Sequence, residues 1–231
     1  MKNSVFASDR QHKIDRTAAQ GFIANLSSIA QPPLNSGVFF DGASLLKLLS
    51  GAEVTGLHYY YARGEGIGDE LIVVPSTTRN EHPLVPVGIL RSMAEMPRDG
   101  QGNYAPYAVD HGISWLEAGR KTRVYRALRD PQQPKGGFFG ADALRRLLNQ
   151  APCVGAQFLF GADPEGVRNI VIAGVDARGN LMMHGELIEL SLLCPPFCFQ
   201  DNLLNSDRFL EKTALSYYQA PVPAELGPLA A

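Results

Sequence analysis

The chain has 231 residues, 45% of them hydrophobic, 19% charged and 9% aromatic, a globular composition that excludes disorder, collagen and coiled coil. Lysine plus arginine number 21 against 23 acidic residues, a net charge of −2, which argues against a nucleic-acid or acidic-membrane partner. No apolar run reaches the roughly 18 residues of a membrane-spanning helix, and Met1–Asp15 lacks the apolar stretch of a secretory signal, so a cytoplasmic protein without membrane insertion is expected.

The first predicted helix carries Ala19, Ile23 and Leu26 at helical spacing and is closed by Pro32. Asp41 caps a short second helix with Leu45, Leu48 and Leu49 on its apolar stripe. A strand follows over Val54–Ala62, rich in aromatic and β-branched residues, then a Gly-rich turn and a strand over Leu71–Val74. A third strand is expected near Val85–Leu90. Residues 98–110 (RDGQGNYAPYAVD) read as a linker. The same order then returns: Ser114 caps a helix through Trp115, Ala118, Thr122 and Tyr125, closed by Pro131. Leu144, Leu147 and Leu148 repeat the short helix, and strands are expected at Cys153–Gly161, Ile170–Ala173 and near Met182–Leu190. Beyond an irregular stretch, Ser206 caps a possible helix through Phe209, Leu210, Leu215 and Tyr218, and a Pro/Ala-rich tail ends the sequence.

The return is in one ungapped register of 99 positions, pairing Gly37 with Gly136, Phe39 with Phe138, Phe40 with Phe139, Leu45 with Leu144 and Gly56 with Gly155. His12 pairs with His111 and Ser92 with Ser191 in the same register. Such self-similarity predicts an internal duplication: residues 12–97 and 111–196 as two copies of a helix–helix–strand–strand–strand unit, with 197–231 as an extension. The expected class is α+β with an antiparallel meander. Leu57, Tyr59 and Tyr61 share one strand face, yet Leu71–Val74 and Ile170–Ala173 are apolar on both, so the second face also needs a cover. The economical cover is the other copy about a pseudo-twofold axis; another subunit is the alternative.

Chemistry-bearing motifs are sparse. Gly64–Gly68 (GEGIG) resembles a phosphate loop but leads into a strand rather than a helix, so it reads as a hairpin turn. Asp176–Asn180 is a turn without the alternating oxygen ligands of a calcium loop. The cations Arg120, Lys121, Arg123, Arg126 and Arg129 spread around one helix without interleaved aromatics, as on a solvated face. Cys194 and Cys198 leave three states open: free thiols in a packed turn, a local disulfide, or half a metal site with His184 as a nearby ligand. Cys153 reads as a small buried apolar residue. Matched His12 and His111 fit a helix-start hydrogen bond better than an Asp110–His111 dyad. His58, Tyr60, Asp110 and His111 are the candidates for any catalytic role, although no complete catalytic set is present.

The ordered series Ile113–Ala118 (ISWLEA), Val124–Arg126, Cys153–Gly155, Val171–Asp176 and Cys194–Cys198 (CPPFC) resembles short bacterial proteins in which a Cys-Pro-Pro-aromatic-Cys run closes the unit. The resemblance covers about residues 111–205. It carries no established activity and so implies no catalytic residue, but it implies that relatives carry the unit singly. The expectation is a non-enzymatic assembly or binding protein, needing no cofactor, that meets a protein partner or itself through Phe209, Leu210, Tyr217 and Tyr218. The alternatives are a small-ligand binder or enzyme in the cleft between the copies, and a metal or redox site at Cys194 and Cys198.

Overall fold

The computed structural model describes residues 5–26, 35–64, 68–77, 88–198 and 201–207. Among them, four helices and nine strands build a mixed α+β body with two antiparallel sheets. The first half runs α1 (Arg16–Asn25), β1 (Gly37–Asp41), α2 (Gly42–Leu48), β2 (Val54–Arg63), β3 (Asp69–Thr77) and β4 (Leu90–Arg91). The second runs α3 (Trp115–Leu128), β5 (Gly136–Gly140), α4 (Ala141–Leu148), β6 (Cys153–Ala162), β7 (Arg168–Asp176), β8 (Leu187–Ile188) and β9 (Leu192–Cys194). From α1 to β3, every element of the first half has a counterpart starting 99 positions later.

Local chemistry sets the helix starts. The side chains of Asp15, Asp41 and Ser114 accept hydrogen bonds from the amides of Ala18, Ser44 and Glu117, satisfying first-turn donors. Gly140 stands where Asp41 would recur and makes no side-chain cap.

A strand precedes each short helix, where the sequence predicted none. β1 and β5 are exchanged: β1 pairs with β6 of the other half, Gly37 opposite Leu159, and β5 pairs with β2, Gly136 opposite Tyr60. The sheet orders are β1-β6-β7-β8 and β4-β3-β2-β5-β9, so neither half is a self-contained meander. At the exchanged contacts backbones approach closely. A Cβ on Gly56 would lie 2.2 Å from the Phe139 carbonyl, and one on Gly155 2.7 Å from that of Phe40, so only glycine fits. The third strands are two residues each, β4 and β8; residues 78–87 lie outside the described residues.

The two sheets face one another across the main core. Leu57, Tyr59, Tyr61 and Phe139 from one meet Phe40, Phe158, Phe160 and Ile172 from the other, with leucines of α2 and α4 filling the space between. The outer faces are covered by helices, each from the opposite half of the chain, rather than by another subunit. Ala118 of α3 lies on Tyr60, Ala62, Ile72 and Val74; Ala19 of α1 lies on Leu159, Val171 and Ala173. Both faces are thus buried within one chain, which explains the two-sided apolar strands. Truncating one inner ring to alanine costs about 3–5 kcal/mol in such a core.

One buried ion cluster interrupts it. Asp69, at the start of β3 and fully buried, is held by Arg63 through Nε at 2.8 Å and by Nη1 of Arg168 at 2.8 Å. Asp69 and Arg168 are separated by the same 99 positions, so the pair joins equivalent points of the two halves. The Arg168 guanidinium lies 5.8 Å over the Tyr125 ring.

Candidate functional site

His12 and His111 occupy matching places and do matching work. Nε2 of His111 accepts from the Asp41 amide at 3.0 Å while its Nδ1 lies 2.8 Å from the Arg91 carbonyl. Nε2 of His12 accepts from the Gly140 amide at 3.0 Å, with Nδ1 2.9 Å from the Leu190 carbonyl. Each ring is therefore neutral, with its proton on Nδ1. Each ties the end of an exchanged strand to a distant stretch of chain: His111 joins β1 to Arg91 of β4, and His12 joins β5 to Leu190. Burial lowers both pKa values, so their contribution to stability is complete above the unfolded value near 6.5 and is lost as pH falls below it. Replacing either by Gln is expected to cost about 1–2 kcal/mol at pH 7.5. It should also flatten the loss of stability between pH 6.5 and 5, read from urea melts at each pH.

His58 is buried between the rings of Phe6 and Phe138, each 5.0 Å away, with Tyr60 at 6.5 Å. The Tyr60 hydroxyl receives a hydrogen bond from Asn202 at 3.3 Å. Asp110 is exposed, 3.6 Å from the Arg91 guanidinium, and accepts from the Gly112 amide. Asp110 and His111 share Arg91 as a neighbour, one through its side chain and one through its carbonyl, but both imidazole nitrogens are spent on backbone. Two cations of α3 and the arginine that follows it are likewise engaged: Lys121 with Glu70, Arg126 with Asp207 and the Leu204 carbonyl, and Arg129 with the Asp130 and Gln133 carbonyls. Gly64–Gly68 connects β2 to β3, with 65–67 outside the described residues. Phe209, Leu210, Tyr217 and Tyr218 also lie outside the described residues.

Cys194 and Cys198 form a disulfide, which removes the free-thiol and metal-ligand readings for this structure. His184 Nε2 lies 2.9 Å from Arg16 Nη1. Among the described residues, no group of three or more His, Cys, Asp or Glu side chains is placed to hold a metal. Cys153 is a free, half-buried thiol, its pKa raised by burial. The bridge spans a sequence separation of only 4, so loop entropy gives it about 2 kcal/mol. Adding reductant, or making the double Cys194→Ser/Cys198→Ser variant, is expected to lower the urea-melt stability by that amount.

The bridge tethers β9, and β9 closes one of two equivalent seams between the sheets. It pairs with β5 through Phe138–Leu192, Gly137–Leu193 and Gly136–Cys194. In the first half the counterpart pairing begins at Phe39–Met93, where both backbone bonds form, at 2.8 and 2.9 Å. Among the described residues it goes no further: Gly37 and Glu95, the counterparts of Gly136 and Cys194, are not paired. Two cavities, about 410 and 500 Å³, flank this open seam and share Asn35, Ala94 and Glu95. The larger has Val38 and Met93 in its walls and Arg91 and Asp110 among its polar lining; the smaller has Gln157, Leu181 and Arg98. Asn35 holds the inner margin, accepting from the Asp69 amide at 2.9 Å and donating to the Gly37 and Asp69 carbonyls. The sequence did carry a signal for this asymmetry, since Glu95-Met96-Pro97 stands in the first half where Cys194-Pro195-Pro196 stands in the second.

At the closed seam lies a buried polar chain that sequence reading missed. Ser191 donates to Asn169 Oδ1 at 2.9 Å and lies 2.9 Å from the Tyr59 hydroxyl, which must therefore donate to Ser191. Asn169 Nδ2 donates to Glu189 Oε1. Glu189 is fully buried, its other oxygen has no hydrogen-bond partner, and burial raises its pKa to about 7. The 99-position counterparts Phe158, Glu70 and Leu90 of Tyr59, Asn169 and Glu189 could have flagged a half-specific feature.

No helix among the described residues is long and apolar enough to cross a membrane. Comparison with protein-family models, with curated proteins and with solved structures finds no match in any of the three.

Proposed function

We propose that the chain is a non-enzymatic binding protein that meets a partner polypeptide, or another copy of itself, at the open first-half seam. In this reading its body is two copies of one unit, residues 12–97 and 111–196, joined by linker 98–110 and related by a pseudo-twofold axis. The carrying observation is the asymmetry between equivalent seams: β9 fills one, while its counterpart leaves two cavities of binding-site size beside β1. Buried His12, His111, Tyr59 and Tyr60 support this assignment because their polar atoms are bonded within the body itself. Of the four catalytic candidates only Asp110 lines either cavity, so enzymatic use of the cleft has less behind it. Neither a cofactor nor nucleic acid is part of the proposal. Phe209, Leu210, Tyr217 and Tyr218 stay in it as a second contact, since Arg126 holds Asp207 just before them.

A photocrosslinking residue at Ala94, with a control at Tyr107, tests the site in the native source. An adduct at Ala94 alone, with the joined chain identified by mass and abolished by Glu95→Arg, is expected. No adduct there, or equal adducts at both positions, overturns the reading. The cytoplasmic location belongs to the proposal and has its own test. Reducing compartments keep thiols open, so in the cytoplasm the Cys194–Cys198 bridge of this structure would be reduced: alkylation in intact cells should then label both cysteines, and an unlabelled pair would overturn the cytoplasmic location.

A further inference from the structure

Resting on the binding role proposed above, we infer that the occupant of the open seam is an extended peptide of a partner chain, which adds as a strand beside the open Gly37 end of β1. Backbone parity gives the first reason. Phe160 donates to the Ser36 carbonyl, so residues 36, 38 and 40 face β6 while 37, 39 and 41 face outward. Phe39 is bonded to Met93 and the Asp41 amide to His111, whereas the Gly37 amide has no acceptor among the described residues. That amide borders the smaller cavity and offers an added strand its first hydrogen bond.

The second reason is that the chain already seats such a strand on the equivalent edge. Leu193-Cys194 lies along Gly137-Gly136 in regular antiparallel register, and the Cys194 carbonyl accepts from Lys135 at 2.8 Å. The third is the placing of the cavities. Val38 points into the inter-sheet core and walls the larger one; Gln157, next to inward-facing Phe158, and Val175, of opposite strand parity to inward-facing Ile172, line the smaller. The cavities thus flank opposite faces of the β1 sheet, and a strand sends successive side chains to opposite faces. An apolar residue suits the Val38–Met93 wall. A lysine or arginine suits Glu95, which is exposed at the shared margin and forms no ion pair among the described residues.

The probe is a synthetic peptide copying Ser191–Pro195, with serine in place of Cys194 and one added lysine, titrated into the isotope-labelled full chain. Amide shifts centred on Gly37, Ala94 and Glu95 are expected, with exchange at the Gly37 amide slowed about ten-fold, the equivalent of one hydrogen bond. The Glu95→Lys variant should bind several-fold more weakly, and a peptide N-methylated at alternate amides should not bind. Equal binding of the N-methylated peptide overturns strand addition while leaving a cleft-binding role intact. No shift at these residues up to about 1 mM, the weak end of measurable association, overturns strand addition as well. If ending the chain after Asp207 itself shifts Gly37 without peptide, the tail is the occupant and the partner strand is overturned. A Gly37 amide already as protected as Gly136 in the free chain closes the seam and overturns both readings.

Discussion

Replacing Asp69 by asparagine is expected to destabilise the fold by about 3–5 kcal/mol, the cost of leaving buried charges without their partner. The side chain is fully buried between Arg63, 28% exposed, and Arg168, 8% exposed. An asparagine side chain there can still accept one hydrogen bond, but it cannot neutralise two guanidinium groups. Arg168→Met should cost less, because Arg63 continues to hold the carboxylate through two nitrogens. Replacing all three by apolar residues of similar volume should recover much of the loss, since the cluster's own desolvation cost then disappears. Urea melts of the three variants at one pH decide it. A loss below about 1 kcal/mol for Asp69→Asn would mean the cluster behaves as an exposed ion pair. The position matters because Asp69 and Arg168 are equivalent points of the two halves. Opposite charges there favour the pairing of unlike halves, whereas two identical units would set like charges against each other.

What could be read in advance was whatever is written locally. Ser114 and Asp41 announce helix starts because a capping side chain must sit beside the amides it satisfies. The strands at Val54, Cys153, Leu71 and Ile170 are evident from aromatic and β-branched runs. The exchange of β1 and β5 was not legible. Gly37–Asp41 is five residues abutting a helix, and nothing in its composition says which of two near-identical edges it will pair with. The histidines were recognised as matched, but His12 finds its partner amide 128 positions away, beyond any spacing rule. Glu189 was hidden differently. Met182–Leu190 reads as a strand, but the structure keeps only Leu187–Ile188 as strand. The chain then turns through Leu190 at φ 56°, a left-handed conformation uncommon for leucine. That turn leaves Leu190 53% exposed and Glu189 fully buried, the reverse of what hydropathy alone assigns. The open seam was legible only as a mismatch, a glutamate where the second half has a cysteine.

The Glu189→Gln variant is expected to be more stable than the parent above pH 7, by up to about 3 kcal/mol, and to lose that advantage near pH 4. The carboxyl is raised from 4.5 to about 7 because burial disfavours its charged form. Below pH 4.5 it is protonated both folded and unfolded and costs nothing. Between 4.5 and 7 the unfolded chain ionises while the native one does not, so native stability falls as pH rises. Above 7 both forms are ionised and the penalty stays at its full value, about 1.4 kcal/mol for each pH unit of the interval. Glutamine keeps the length and the oxygen that receives Asn169 Nδ2, and it removes the charge. This slope opposes that of His12 and His111, which lose stability as pH falls below 6.5, so the parent should be most stable between about pH 5 and 7. The two contributions carry opposite slopes in urea melts across pH. Glu189→Gln should remove the fall in stability between pH 4.5 and 7 and keep its gain above it, whereas the histidine variants should flatten the loss below pH 6.5 in addition to their cost at pH 7.5. A glutamine variant with no gain at pH 8 would mean that the carboxylate is solvated or compensated, and that the polar chain from Tyr59 through Ser191 and Asn169 ends in a charge the body tolerates.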